Sequence, residues 1–471
     1  MDRAGAAQGE AGWVIPSLFA LGLAIAGYMV VNVQTGGDGL CLLSRGWLLV
    51  AKGTWVHLGA SASGGGYVPG GLTALLVGIP LKIWPDPRAP VVLILIFHVI
   101  AYALLDRLVK EALGFRARVV FAVMYWLNPW QLYQAAWLDN TNYAFLTGAV
   151  HAFGSWRGRN RRSFFYTALV VSVVGLTAQL HLHATTLVFA SLLLWWRGYW
   201  KPHWGGVALG AAITVGSLIP FFLEASRHPE LMPGSKDPML RSLVYVWPVL
   251  KGILYWFRYA SLHTAGAMRD FDFAPRLGSA DVVLRPLFVA LGHGVGVASI
   301  ALPVLANRFV WLRFRKVRNV PGTERMSDRG WIRGYAVWLF AACFIANATS
   351  PIATMYWHNL IALHATVLPV VLWVDALLRT RHAPSVRRWA AAYFAFTVAF
   401  LVAMAIGSPD FRTTGLESQG VPDRDHELLF DLGMLEFGAK RNPGWPREER
   451  FFYQTYMKQY EIPGDSTSPA D

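Results

Sequence analysis

Long apolar runs recur along the whole chain, separated by short polar connectors. Eleven stand out, at 13–32, 89–106, 117–130, 141–155, 163–181, 184–197, 204–223, 285–306, 334–349, 357–378 and 388–406. Within them apolar residues occupy nearly every position, so neither the alternation of a half-buried strand nor the one-sided stripe of a surface helix fits. They predict helices sheathed in lipid or in one another, several of them shorter than the roughly 20 residues of an ideal crossing. Two further pieces are amphipathic or short. "LCLLSRGWLLVAKG", residues 40–53, predicts a helix lying in the interface, and "LTALLVGIPLKIW" is too short to span.

Composition turns this pattern into a class. The chain has 471 residues, 55% of them hydrophobic and only 15% charged. A soluble protein would have to hide all of these runs in one core, against the usual limit on core size. The expected fold is therefore all-α and polytopic, with about eleven transmembrane helices.

Charge supplies the orientation. With the N-terminus cytoplasmic, the inner loops collect Arg107 to Arg118, Arg157 to Arg162, Arg197 with Lys201, Arg308 to Arg333, and Arg379 to Arg388, with few acids among them. The outer pieces mix both signs, and after residue 407 acids outnumber Lys plus Arg by twelve to seven. The net charge of +14 thus follows from topology, and no basic soluble face invites a nucleic acid. The first span lacks a basic leader region and an evident cleavage site, so it is expected to be a retained helix. Two cysteines, Cys41 and Cys343, suggest neither a disulfide framework nor a zinc site.

On this topology residues 1–406 form a transmembrane domain with large outer loops at 33–88 and 224–284, and 407–471 form an extracytoplasmic tail. Chemistry is expected at the outer face, where long loops sit on a rigid scaffold. Asp38 lies among glycines directly after the first span, and Arg45, Lys52 and Tyr67 follow it in a stretch whose "ASASGGGYVPGGL" suggests a flexible loop open to a ligand. Asp139 and Asn140 sit at the mouth of the fourth span, His181 and His183 at the next hairpin, Arg241 and Arg258 in the second large loop, and His358 before the tenth span. Each has a plainer reading. Asp139 suits a helix N-cap, the histidines suit bonds to neighbouring helices, and the cations suit lipid anchors. His181 and His183, two apart, would not share a face on an α-helix and so make poor partners for one metal. His98, His293 and His364 receive no role.

The stretch from "GGDG" through "LLSRGWLLVAKGTWVHLGASASGGGYVPGGLTALLVGIPLKIWPDPRAP", with "LTAQLHLHATTLV" further on, resembles the GT-C superfamily of polyprenyl-phosphate-sugar-dependent glycosyltransferases. The likeness is to the branch of protein O-mannosyltransferases and aminoarabinose transferases, and it covers about residues 10–200. The resemblance implies an integral membrane enzyme, most simply in a bacterial inner membrane. It would move a sugar from a polyprenyl-phosphate donor to a lipid, glycan or protein acceptor at the periplasmic face. It implies Asp38 as general base in an inverting transfer, with a cation receiving the lipid phosphate. Many members carry two adjacent acids where this chain has Asp38 and Gly39, so the resemblance leaves a divalent cation undetermined. Two other classes fit the same layout: a transporter or flippase of lipid-linked sugars, marked by ionisable groups at mid-span, and a scaffold in which Asp38 is dispensable.

Overall fold

The computed structural model describes residues 12–33, 37–53, 55–61, 67–84, 86–227, 246–264, 273–317, 326–350 and 355–408. All eleven apolar runs are helical over most of their length, and among the described residues seven helical stretches are long and apolar enough to cross a membrane: Val14–Val31, Arg88–Leu113, Trp204–Arg227, Ala274–Lys316, Asp328–Ala348, Tyr356–Leu377 and Ala383–Ile406. The helices Leu72–Ile83, Phe164–Ala178 and Leu182–Trp196 are apolar but shorter.

Several boundaries differ from the sequence expectation. The run at 117–130 is not one straight helix: Phe115–Phe121 leads into a π-helical turn at Ala122–Trp126, and a new helix starts at Pro129. Proline at a first helical position and Asn128 accepting from the Trp130 N–H at 2.9 Å explain the restart. The wide turn seats Trp126 between Phe19 and Tyr102, ring centroids 5.3 and 5.1 Å away, with its indole N–H on the Phe19 carbonyl. The basic stretch expected as a loop from Arg308 continues as helix to Val317. The second large loop expected at 224–284 carries a helix, Val246–Tyr259.

Residues 62–66 of the stretch expected to be an open loop lie outside the described residues, and the residues on either side form strands. Leu58–Ser61 pairs antiparallel with Tyr67–Pro69, and the amphipathic helix Gly37–Lys52 packs on Leu72–Ile83 beside it. Gly70 closes this unit at φ +92°, where a Cβ would meet the Gln179 amide, so only glycine brings the hairpin against the end of the Phe164–Ala178 helix.

Following the helices end to end separates two poles. At one, acids and arginines pair: Asp106 with Arg118, Glu111 with Arg107 and Arg157, Asp328 with Arg159, and fully buried Asp375 with Arg329 and Arg379. At the other, short 3-10 turns at Asn140–Tyr143, Leu182–Ala184 and Tyr356–Ala362 meet one another.

Candidate functional site

The three turns bring polar side chains from distant parts of the chain together. His181 opens the first of two histidine positions in extended backbone, φ −159° and ψ 141°, outside any α-helix. The expectation that residues two apart would diverge assumed an α-helix and does not hold here. Rings of His181, His183 and His358 stand 5.5, 5.1 and 4.9 Å apart between centroids. They line a small cavity with Thr141, Thr177 and Trp357, with room for about one water. His358 is positioned by the Met355 N–H, which donates to its Nδ1 at 3.0 Å, and by Gly148, whose missing Cβ lets the Ile361 carbonyl rest on the Ala144–Arg157 helix. Burial, then the rings of His183 and His358, pushes the His181 pKa well below its ordinary value, so it is neutral at pH 7. Among the described residues, no group of three or more His, Cys, Asp or Glu side chains is arranged to hold a metal ion.

A second cluster adjoins the first through aromatic rings. Arg258 is 8% exposed, at the end of the Val246–Tyr259 helix. Its guanidinium lies 5.3 Å from the Trp130 ring and 5.2 Å from Tyr255. Trp130 in turn touches Tyr259 and Tyr356, at 5.5 and 5.3 Å, and Tyr356 precedes Trp357 and His358. Asn128 fixes this wall by donating to the Tyr259 carbonyl at 2.7 Å, and the Tyr259 hydroxyl donates to the Tyr356 carbonyl. Nε and Nη2 of Arg258 have no hydrogen-bond partner among the described residues, nor do Nδ1 of His263 or the hydroxyl of Thr264 on the turn that follows. Burial pushes the Arg258 pKa down, and the groups that oppose the shift are the tyrosines 255, 259 and 356, not carboxylates. Burial, then Arg258 and His293, lowers His263 to about 4.

Other predicted site residues are placed differently. Asp139 caps the Asn140–Tyr143 turn, accepting from the Thr141 N–H and hydroxyl at 2.8 Å each, which is its plainer reading. Asn140 donates to the Leu180 carbonyl at 2.7 Å and so ties two turns together. Arg45 is buried and donates to the carbonyls of Leu58 and Gly59, holding the amphipathic helix to the hairpin. Asp38 is the second residue of the Gly37–Lys52 helix, and its side chain, with those of Lys52 and Tyr67, lies outside the described residues, as do Arg241 and the tail after residue 408.

The sequence shows aromatics around Arg258 and Tyr356 beside His358, but not that Trp130 joins them, because Trp130 lies far from both along the chain. Sequence reading also missed a buried chain within the bundle. His151 Nε2 meets Ser191 Oγ at 3.0 Å, its Nδ1 meets the Tyr335 hydroxyl at 3.1 Å, and that hydroxyl meets His364 Nε2 at 3.0 Å. His98 bonds to the Asn142 carbonyl at 3.2 Å. Each pair joins residues far apart along the chain, so no spacing in the sequence marks it.

Helices of crossing length, with a buried arginine among aromatic rings at one pole, define an integral membrane protein. No protein-family model matches the chain, and no curated protein matches it. Solved structures similar to it include ArnT from Cupriavidus metallidurans bound to undecaprenyl phosphate, with 13% identity and a TM-score of 0.49 over 84% of this chain and 78% of that one. The same protein in the apo state gives 15% identity and 0.43 over 86% and 78%. An Archaeoglobus fulgidus oligosaccharyltransferase in complex with Zn and sulfate gives 14% and 0.49 over 92% of this chain and 58% of that one.

Proposed function

We propose that the protein is a membrane glycosyltransferase that takes its sugar from a polyprenyl-phosphate donor. The observation that carries this reading is Arg258: a buried cation whose Nε and Nη2 have no partner among the described residues. Tyr255 hydrogen-bonds the guanidinium but carries no charge to offset it; a buried charge with donors left unsatisfied is costly, and an anionic group that enters the site and accepts from them removes that cost. A phosphate is suited to it, because a guanidinium donates two parallel hydrogen bonds to phosphate oxygens. The indole and phenol faces of Trp130, Tyr255 and Tyr259 keep the pair partly dry, which strengthens it, and offer apolar surface to an isoprenoid chain.

In this reaction the acceptor hydroxyl attacks the anomeric carbon, Asp38 takes its proton, and the lipid phosphate leaves with the bonding electrons. A phosphate leaves without needing a proton, so one base and a cation suffice, unlike the acid and base pair of a glycosidase. Arg258 stabilises the charge that builds on the leaving phosphate. The resemblance of the first outer loop to GT-C enzymes and the position of Asp38 directly after the first span support the same assignment.

The test is transfer of radiolabelled sugar from a crude polyprenyl-phosphate-sugar pool in membranes carrying the wild type, Asp38→Asn or Arg258→Gln at matched expression. Transfer by the wild type, lost in Asp38→Asn and lowered about 100-fold or more in Arg258→Gln, is the expected result. Equal activity in all three removes both residues from the chemistry.

A second reading, a transporter of lipid-linked sugars, is favoured by the Ser191–His151–Tyr335–His364 chain deep in the bundle, since intramembrane polar groups often mark a pathway. Facilitated movement of a lipid-linked sugar between leaflets of proteoliposomes, lost in Tyr335→Phe, is what that reading requires.

A further inference from the structure

The three histidines look at first like a metal site, and their hydrogen bonds argue otherwise. A neutral imidazole has one N–H and one lone pair. In His181 the lone pair on Nδ1 accepts the His183 backbone N–H at 3.1 Å. In His358 the lone pair on Nδ1 accepts the Met355 backbone N–H at 3.0 Å. Backbone N–H groups can only donate, so both rings are held in the tautomer that carries its proton on Nε2. A ring in that state has no lone pair left for a cation, and coordination through Nε2 would need the backbone bond broken or the ring made anionic. Among the described residues the Nε2 of His183 is buried without a hydrogen-bond partner.

We infer that His181, His183 and His358 form a subsite for one hydrogen-bond-accepting oxygen of the bound ligand, served by the fixed Nε2–H donors of His181 and His358. The cavity they line holds about one water, so a single projecting oxygen enters and a whole sugar ring does not. Burial keeps His181 uncharged at neutral pH, so a hydroxyl is accepted without the need for an anion. The aromatic path from Arg258 through Trp130, Tyr356 and Trp357 to His358 joins this subsite to the cation. If a donor phosphate occupies Arg258, as proposed above, the histidines hold an oxygen of the sugar or of the acceptor. That identity rests on the proposed function, whereas the donor character of the rings does not.

The test uses full-length protein labelled with ¹⁵N-histidine in lipid nanodiscs, and it needs no transfer activity. Imidazole ¹⁵N spectra at pH 7 should give the Nε2–H tautomer for His181 and His358, assigned from the single variants. Titration with methyl β-glucopyranoside and with inorganic phosphate separates a hydroxyl from an anionic oxygen, and a shift of these Nε2–H signals with either probe supports the subsite. His358→Gln keeps an N–H near the ε position and should retain that probe's affinity, while His358→Asn should lose about tenfold, the equivalent of one hydrogen bond. The inference is overturned by Nδ1–H tautomers, by shifts with neither probe, or by stoichiometric zinc binding that removes the Nε2 protons. A protein that passed this test and transferred no sugar would count against the proposed function alone.

Discussion

A side chain's hydrogen bonds, more than its type, separate residues engaged within the fold from those with donors to spare. Asp139, Asn140 and Arg45 all had the right chemistry in the sequence, and all three are engaged with backbone groups of this chain. Arg258 was equally legible as a cation flanked by aromatics, but its unsatisfied donors became visible only once Trp130, 128 residues earlier, was seen beside it. The histidines were legible as polar groups at one depth, and their tautomers were not, because the backbone N–H that fixes each comes from the local turn. The same burial makes a pH prediction. Folded His263 titrates near 4 and His181 well below its ordinary 6.5, so between those values and 6.5 the unfolded chain binds more protons. Stability is therefore present above pH 6.5 and is lost as pH falls toward 4. Thermal unfolding in detergent should show a lower Tm at pH 5 than at pH 7.5, and His263→Gln should reduce that difference.

At the level of elements, the apolar runs located most of the helices, missed Val246–Tyr259, and failed where tertiary contacts set the shape. The Ala122–Trp126 turn widens to seat Trp126, and the 58–69 hairpin forms because Arg45 and Gln179 hold its two sides. Neither partner is near in sequence. The Tyr356–Ala362 turn is the element on which the site most depends, since it carries Tyr356, Trp357 and His358. Its seat on the Ala144–Arg157 helix requires Gly148, where a Cβ would lie 2.3 Å from the Ile361 carbonyl. Gly148→Ala should displace the turn, cost about 1–3 kcal/mol of stability as overpacking does, and lower ligand affinity or transfer more than Gly294→Ala, where a Cβ meets nothing within 4 Å. Matched thermal unfolding and activity assays on the two variants check this.

Across the whole molecule the two poles differ in how charge is treated. At one, among the described residues, Asp106, Glu111, Asp328 and Asp375 pair with arginines, and at the other the groups that oppose the pKa shift of buried Arg258 are tyrosines. The sequence anticipated this asymmetry through its basic loops, because the excess of Lys and Arg on one side survives without any knowledge of packing. The proposed orientation makes the paired pole cytoplasmic. In a background of Cys41→Ser and Cys343→Ala, Arg227→Cys should react with an impermeant maleimide on intact cells, and Arg161→Cys only after permeabilisation. The reverse pattern would turn the molecule over and put the site on the cytoplasmic side.

Arg258, buried and with Nε and Nη2 lacking a partner among the described residues, also bears on competition among lipids. A dry cation at the edge of a bilayer does not wait for one phosphate; it meets every anionic headgroup that can reach it, and the abundant ones occupy it in proportion to their concentration over their dissociation constant. On the proposed function, ordinary acidic phospholipids would thus act as weak competitors of the donor. In nanodiscs of rising phosphatidylglycerol content the apparent KM for the polyprenyl-phosphate sugar should climb while kcat stays constant, and the slope should vanish in Arg258→Gln. The composition of the surrounding membrane would then set the working range of the protein.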